Sequence, residues 1–187
     1  MALADLIRRE IAQTGPMSVA RFMELCLAHP EYGYYRTRDP LGAEGDFITA
    51  PEISQMFGEM IGVWLVQVWR DMGEPPVKLI ELGPGRGTLM ADALRVMDRA
   101  GMAEVAQIWF IETSPALRTA QAKRVPQARW ADRIDDVPKG PSIVLANEFF
   151  DALPVRQFLC AADGWRERVV GLDIGAESPQ ISASPSS

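Results

Sequence analysis

Histidine is almost absent from this chain. His29 is the only one, and the 187 residues hold just two cysteines, Cys26 and Cys160. A single histidine excludes a histidine cluster around zinc and leaves nothing for a Ser-His-Asp arrangement. Without a C-x-x-C pair a cysteine-based zinc site is excluded too, and two distant thiols suit a reducing compartment. No metal site is expected. Positive charge is also in deficit, with 19 Lys and Arg against 25 Asp and Glu and a net charge of −6. A nucleic acid is therefore a poor partner, and a basic substrate a better one. No apolar run approaches the length of a membrane span, and Met1-Ala2-Leu3-Ala4-Asp5 lacks the layout of a signal peptide. The expected location is the cytoplasm.

What is present is a hydrophobic share of 48 %, enough for one substantial core and a small second unit. Leu3, Leu6, Ile7 and Ile11 repeat at helical spacing until Gly15-Pro16, and a second helix starts at Ser18 and stops before Pro30. His29 then reads as a cap or surface residue. Glu31 to Ala50 has no steady period and holds Tyr32, Tyr34 and Tyr35, so it reads as a long functional loop. Thr49-Ala50-Pro51-Glu52 is a capping box with proline at the first helical position. The helix it opens is expected to bury one face through Ile53, Met56, Phe57, Met60, Ile61, Trp64, Leu65 and Val68. Strands at Val77 to Leu82, Gln107 to Ile111, Arg129 to Ala131 and Ser142 to Ala146 alternate with helices, which predicts a parallel sheet. Asp163-Gly164 sits between two short β-patterned runs, a hairpin signal over 155–170. The serine-rich end, 173–187, reads as disordered. The expected division is 1–50 for the N-terminal helices and loop, 51–172 for the sheet domain with its hairpin, and 173–187 for the tail.

Leu79-Ile80-Glu81-Leu82-Gly83-Pro84-Gly85-Arg86-Gly87-Thr88-Leu89 carries the chemistry. A buried strand enters a glycine-rich turn and then a helix, the arrangement that holds a nucleoside-containing cofactor at the carboxyl ends of parallel strands. No Walker A lysine follows the glycines. Their spacing is G-x-G-x-G, not the G-x-G-x-x-G of dinucleotide binders, and Glu81 precedes the first of them. A pyrophosphate seeks amide donors and no nearby carboxylate. S-adenosylmethionine carries an ammonium and a sulfonium, so Glu81 favours it over NAD. Glu112 closes the second strand and suits a bidentate hydrogen bond to two ribose hydroxyls. Asp132 is a candidate acceptor for an adenine amino group, with a plain loop aspartate as the alternative.

Three blocks of sequence go further. Glu81-Leu82-Gly83-Pro84-Gly85-Arg86-Gly87, Gly45-Asp46-Phe47-Ile48-Thr49-Ala50-Pro51-Glu52-Ile53-Ser54-Gln55 and Ala146-Asn147-Glu148-Phe149-Phe150-Asp151-Ala152-Leu153-Pro154-Val155 closely resemble the MidA family of class I S-adenosylmethionine-dependent methyltransferases. That family includes the mitochondrial arginine methyltransferase needed for respiratory complex I assembly. The resemblance runs from the N-terminus to about residue 172. It implies an α/β fold, a Rossmann-like three-layer methyltransferase sheet preceded by a helical segment. It also implies that Gly83, Gly85 and Gly87 line the methionine part of the cofactor and that Glu112 holds the ribose. Asn147 and Glu148 would face the methyl-transfer site, under a loop containing Asp46, Thr49, Glu52 and Gln55. An arginine acceptor needs its guanidinium held and turned, a task for carboxylates. Glu148 and Asp151 are the first candidates for it, Glu52 a third, with Asn147 fixing the loop.

The expected partner is a protein substrate, a quinone-module subunit of complex I if this chain acts as its relatives do, in the mitochondrial matrix for eukaryotic relatives. Family members are considerably longer, with further strands after the point at which this chain stops. A sheet without them is shortened and has an open edge beside its fourth strand, a place for association such as a homo-oligomer. The alternative to an enzyme is a non-catalytic assembly module that retains the cofactor fold.

Overall fold

A computed structural model describes residues 2–34, 49–172 and 180–183. They form two units, divided within 35–48 and again between Phe149 and Phe150.

The first unit joins the beginning of the chain to its end. Helix α1 (Leu3–Thr14) buries Ile7 and Ile11, one helical turn apart, and Gly15 closes it by donating its N–H to Ile11 O at 2.9 Å. Strand β1 (Met17–Ser18) leads into α2 (Val19–Ala28), where the Ser18 hydroxyl accepts the Arg21 N–H. His29 ends α2, and its Nδ1 accepts the N–H groups of Glu31 and Tyr32, so the lone histidine is a cap, as its position suggests.

The second unit opens with α3 (Ala50–Ile53) and α4 (Gln55–Asp71). Strand β2 (Val77–Leu82), α5 (Thr88–Arg99), β3 (Ala106–Ile111), α6 (Pro115–Arg124), β4 (Arg129–Ala131) and β5 (Ser142–Leu145) follow. All pairings are parallel and the strand order is β4-β3-β2-β5, so the order reverses between β2 and β5. One face of the sheet packs Leu79, Phe110 and Ile143 against Leu65, Val66 and Trp69 of α4 and Met90, Ala93 and Met97 of α5. The other gathers Ile80, Leu82, Trp109, Ile111, Ala131, Val137 and Phe149. Among the described residues β5 pairs only with β2.

The chain then returns to the first unit with β6 (Phe158–Ala161), β7 (Gly164–Gly171) and β8 (Gln180–Ala183). Two expectations are revised here. The hairpin β6-β7 belongs with the N-terminal helices, because Val169 and Val170 pair with Ser18 and Met17 and Val170 shares a core with Ile7, Ile11 and Leu25. Four residues of the serine-rich end form β8, antiparallel to β7 from Arg168 to Gly171.

The helix after Thr49 also differs from its periodicity. Thr49 stands at the N-cap without a side-chain hydrogen bond, and the helix breaks at Ser54, whose ψ of 121° is extended. Ser54 then caps α4 by accepting the Met56 N–H. Ile53, Met56, Met60 and Trp64, expected in the core, are 71 %, 68 %, 63 % and 51 % exposed. The reason is a pair of glycines. A Cβ on Gly58 would lie 2.6 Å from Asp92 Cβ, and one on Gly62 2.7 Å from Ala93 O. Helix α4 therefore meets α5 through its smallest residues, and Met56, Met60 and Trp64 are turned outward while Leu65, Val66 and Trp69 stay in the core.

Candidate functional site

Ligands of open parallel sheets sit at the carboxyl ends of the strands where strand order reverses. Here those ends are the glycine turn after β2 and residues 146–149 after β5. Gly83, Gly85 and Gly87 have φ of +59°, +54° and +81°, a path that residues with a Cβ rarely follow. Gly87 N–H closes the turn on Pro84 O at 2.8 Å, and Gly87 is the N-cap of α5.

Glu81 lies one residue before the end of β2, on the face shared with Leu79. It is 3 % exposed, its Oε2 has no hydrogen-bond partner among the described residues, and burial pushes its carboxyl up to about 8. A buried acceptor without a donor is costly, and a strongly shifted carboxyl at the end of a parallel strand is a candidate for a functional site.

Glu112 directly follows β3. Its Oε1 accepts the N–H groups of Thr113 and Ser114, both at 2.8 Å, so the carboxylate is fixed by its own backbone at the strand end. Gln121 on α6 reaches Glu112 Oε2 at 3.3 Å and Gly85 O at 2.7 Å through the same Nε2. Arg118 donates to Glu112 O through Nε at 2.8 Å and to Asp132 Oδ1 through Nη2 at 2.6 Å. Asp132, the residue considered for adenine, thus already has a cationic partner and stays largely exposed.

On the opposite side of the turn, Thr88 Oγ1 donates to Glu52 Oε1 at 2.7 Å, and Arg124 Nη1 donates to Thr88 Oγ1 at 2.7 Å and to Arg86 O at 3.3 Å. Glu52 is therefore engaged in tying α3 to the first residue of α5. Gln55 donates to Glu59 within α4 and is exposed. Asp46 lies outside the described residues.

After β5 the backbone is strained. Glu148 has φ of +47°, a left-handed value that costs a residue with a side chain about 1 to 2 kcal/mol. Its carboxylate is exposed, and no ion-pair partner for it is found among the described residues. Asn147 is half-buried, and Asp151 lies on the turn Phe150–Ala152 at the start of the first unit's second segment. Strain at an exposed carboxylate beside the strand-order reversal is the pattern of a functional position.

The structure thus places Glu81, the three glycines and Glu112 at the carboxyl ends of β2 and β3, with Gln121 hydrogen-bonded to both Gly85 and Glu112. Three participants escaped the sequence reading: Gln121, Arg118 and Arg124, all on α6. The available signal was that α6 lacks an apolar stripe, so a buried polar residue had to occupy its inner face. Among the described residues no group of three or more His, Cys, Asp or Glu could hold a metal, and no helix is long and apolar enough to cross a membrane.

Comparison with known proteins identifies the family. A family model described as "Putative S-adenosyl-L-methionine-dependent methyltransferase" matches residues 60–187. The mitochondrial protein arginine methyltransferase NDUFAF7 homolog of Drosophila melanogaster is 44 % identical over 90 % of this chain and 44 % of its own length. The human mitochondrial protein arginine methyltransferase NDUFAF7 is 41 % identical over 92 % of this chain and 44 % of its own length. A Burkholderia thailandensis protein crystallised with S-adenosyl-homocysteine superposes with a TM-score of 0.76 at 30 % identity, covering 98 % of this chain and 49 % of that one. The chain spans less than half the length of the curated relatives it matches. On the family model and these identities, the chain belongs to the S-adenosylmethionine-dependent methyltransferase family that its sequence resembles, the MidA family.

Proposed function

We propose that this chain binds S-adenosylmethionine and takes part in methylating arginine on a protein substrate. The observation that carries the reading is Glu81, a buried carboxylate with an orphaned oxygen beside the first glycine of the turn. A desolvated carboxylate with a free acceptor fits the α-ammonium of a methionine moiety and disfavours a pyrophosphate. Bound there, S-adenosylmethionine supplies an electrophilic methyl group on a sulfonium.

The chain's own residues supply position. Glu81 and the turn from Gly83 to Gly87 hold the amino-acid end. Glu112, held in place by two backbone N–H donors, accepts from the ribose hydroxyls. Asp132, if it takes the adenine amino group, does so while paired with Arg118. Glu148 turns the acceptor guanidinium, with Asp151 as the second carboxylate and Asn147 holding the loop. Asp46, Thr49, Glu52 and Gln55 belong to the segment that would cover the acceptor, with Glu52 on α3 and Gln55 on α4. In-line displacement needs alignment and exclusion of water more than proton chemistry, since the guanidinium releases its proton to solvent after transfer.

The relatives' names support arginine as the acceptor and a mitochondrial setting for the eukaryotic proteins. A quinone-module subunit of complex I as the substrate, and a reducing bacterial cytoplasm for this chain, are proposals of the same kind. Calorimetric titration with S-adenosyl-homocysteine, followed by transfer of labelled methyl to arginine in protein extracts, tests the reading. Absence of binding would sink it. Binding without transfer would favour a module that keeps the cofactor fold but not turnover.

A further inference from the structure

We infer that Gln121 is a positioning residue that sets the glycine turn and the Glu112 carboxylate in register, so that the two ends of the cofactor are held at a fixed separation. The inference rests on the methyltransferase reading above.

Gln121 is fully buried, one of only three buried polar or charged side chains among the described residues. Its amide is satisfied by groups from three separate elements. Nε2 donates to Gly85 O in the turn at 2.7 Å and to Glu112 Oε2 after β3 at 3.3 Å, and Oε1 accepts from Trp130 Nε1 on β4 at 2.7 Å. An indole N–H only donates, so Trp130 forces the amide oxygen towards β4 and the amide nitrogen towards the turn. The two amide hydrogens then have two destinations, the turn carbonyl and the carboxylate. Its side chain also backs the third glycine, where a Cβ on Gly87 would lie 3.5 Å from Gln121 Cα and 3.6 Å from its Cγ.

A helix position that only fills space is served by leucine or methionine at no polar cost. The amide here instead cross-links the two backbone segments that the cofactor bridges. It leaves Glu112 with one oxygen bound by Thr113 and Ser114 and the other bound once, so acceptor capacity remains for a ligand.

The test uses the full chain, with S-adenosyl-homocysteine as the probe in calorimetry at about pH 6 and about pH 8.5. Thermal unfolding is followed in parallel. Gln121→Met keeps the volume and removes the amide, and should weaken binding about tenfold or more while the protein stays folded. Gln121→Glu is the diagnostic variant. At the higher pH its carboxylate faces Glu112 and Gly85 O, so the ratio of its Kd to wild type should be about tenfold or more. At the lower pH the protonated acid donates where the amide did, and the ratio should fall. A residue that merely fills the core would give a ratio independent of pH. Binding by both variants within about twofold of wild type would overturn the inference, as would a pH-independent ratio for Gln121→Glu. So would unfolding of both variants together with Gln121→Asn, which would make Gln121 a core residue and nothing more. If wild type itself does not bind the probe, the cofactor reading fails first and takes this one with it.

Discussion

The ring of Phe149 lies against the α-carbon of Gly83, and a Cβ built on that glycine would stand 2.5 Å from Phe149 Cδ2. The contact joins the carboxyl end of β2 to the segment after β5. Gly83 also has φ of +59°, where a side chain costs about 1 to 2 kcal/mol. Gly83→Ala thus meets two penalties, and only the steric one depends on the ring. We expect a loss of about 3 kcal/mol in the wild-type background and less than about half of that when Phe149→Leu is already present. Urea denaturation of the four proteins measures both costs. Equal costs in the two backgrounds would show that the ring does not restrain the turn.

Glu81 makes stability depend on pH. Its carboxyl is raised to about 8 in the folded chain by burial, against about 4.3 when unfolded. Between those values the folded state keeps a proton that the unfolded state has lost, so stability falls as pH rises and levels off above about 8. Its contribution is fully present below the unfolded value. Glu81→Gln should remove the slope and make the chain more stable than wild type at about pH 8, by roughly 1 kcal/mol or more. It should also weaken S-adenosyl-homocysteine. Parallel melting curves from about pH 5 to 8.5 decide it, and a wild-type slope of the opposite sign would exclude a buried neutral Glu81.

Binding of a ligand that carries an ammonium should expel the Glu81 proton. Affinity for S-adenosyl-homocysteine is therefore expected to rise with pH towards about 8, by up to about tenfold per unit. Calorimetry in buffers of different ionisation enthalpy counts the protons released. No release near neutral pH would separate Glu81 from the ligand.

Glu112→Ala removes an acceptor held by the N–H groups of Thr113 and Ser114 and by Gln121. We expect S-adenosyl-homocysteine to bind about a hundredfold more weakly, because a charged acceptor for two hydroxyls is lost. Circular dichroism should remain that of the folded chain. Unchanged affinity would move the ribose elsewhere.

Glu148 offers a trade of stability against turnover. Glu148→Gly relieves the strain at φ +47° and should stabilise the chain by about 1 kcal/mol, while methyl transfer falls and cofactor affinity stays. Glu148→Ala keeps the strain and should lose transfer alike. If both variants transfer methyl at the wild-type rate, the guanidinium is held by other groups.

Much of the candidate site was legible because it is local in sequence. Glu81, the three glycines and Glu112 lie at strand ends that apolar runs mark, and class-level chemistry follows from their spacing. Gln121 was not legible, since its three partners come from residues 85, 112 and 130, and only the folded sheet brings those together. The apolar face of α4 misled for a related reason. Periodicity reports which residues share a face but not which face is inside, and Gly58 and Gly62 settled that by allowing close approach to α5. The hairpin was found but placed in the wrong unit, because pairing of Val170 with Met17 spans nearly the whole chain.

That last pairing governs the order in which the protein can be built. The residues of the parallel sheet, from β2 to β5, are complete once Leu145 has been synthesised, and their helices precede or interleave them. The first two helices must wait. Ile7, Ile11 and Leu25 cannot close their core until Val170 arrives. On a ribosome emitting residues one by one, the earliest helices are thus the last to find their partners, and the sheet folds while they are still exposed. A chaperone that holds nascent apolar segments would find α1 and α2 still without their partner strand while the sheet is folding.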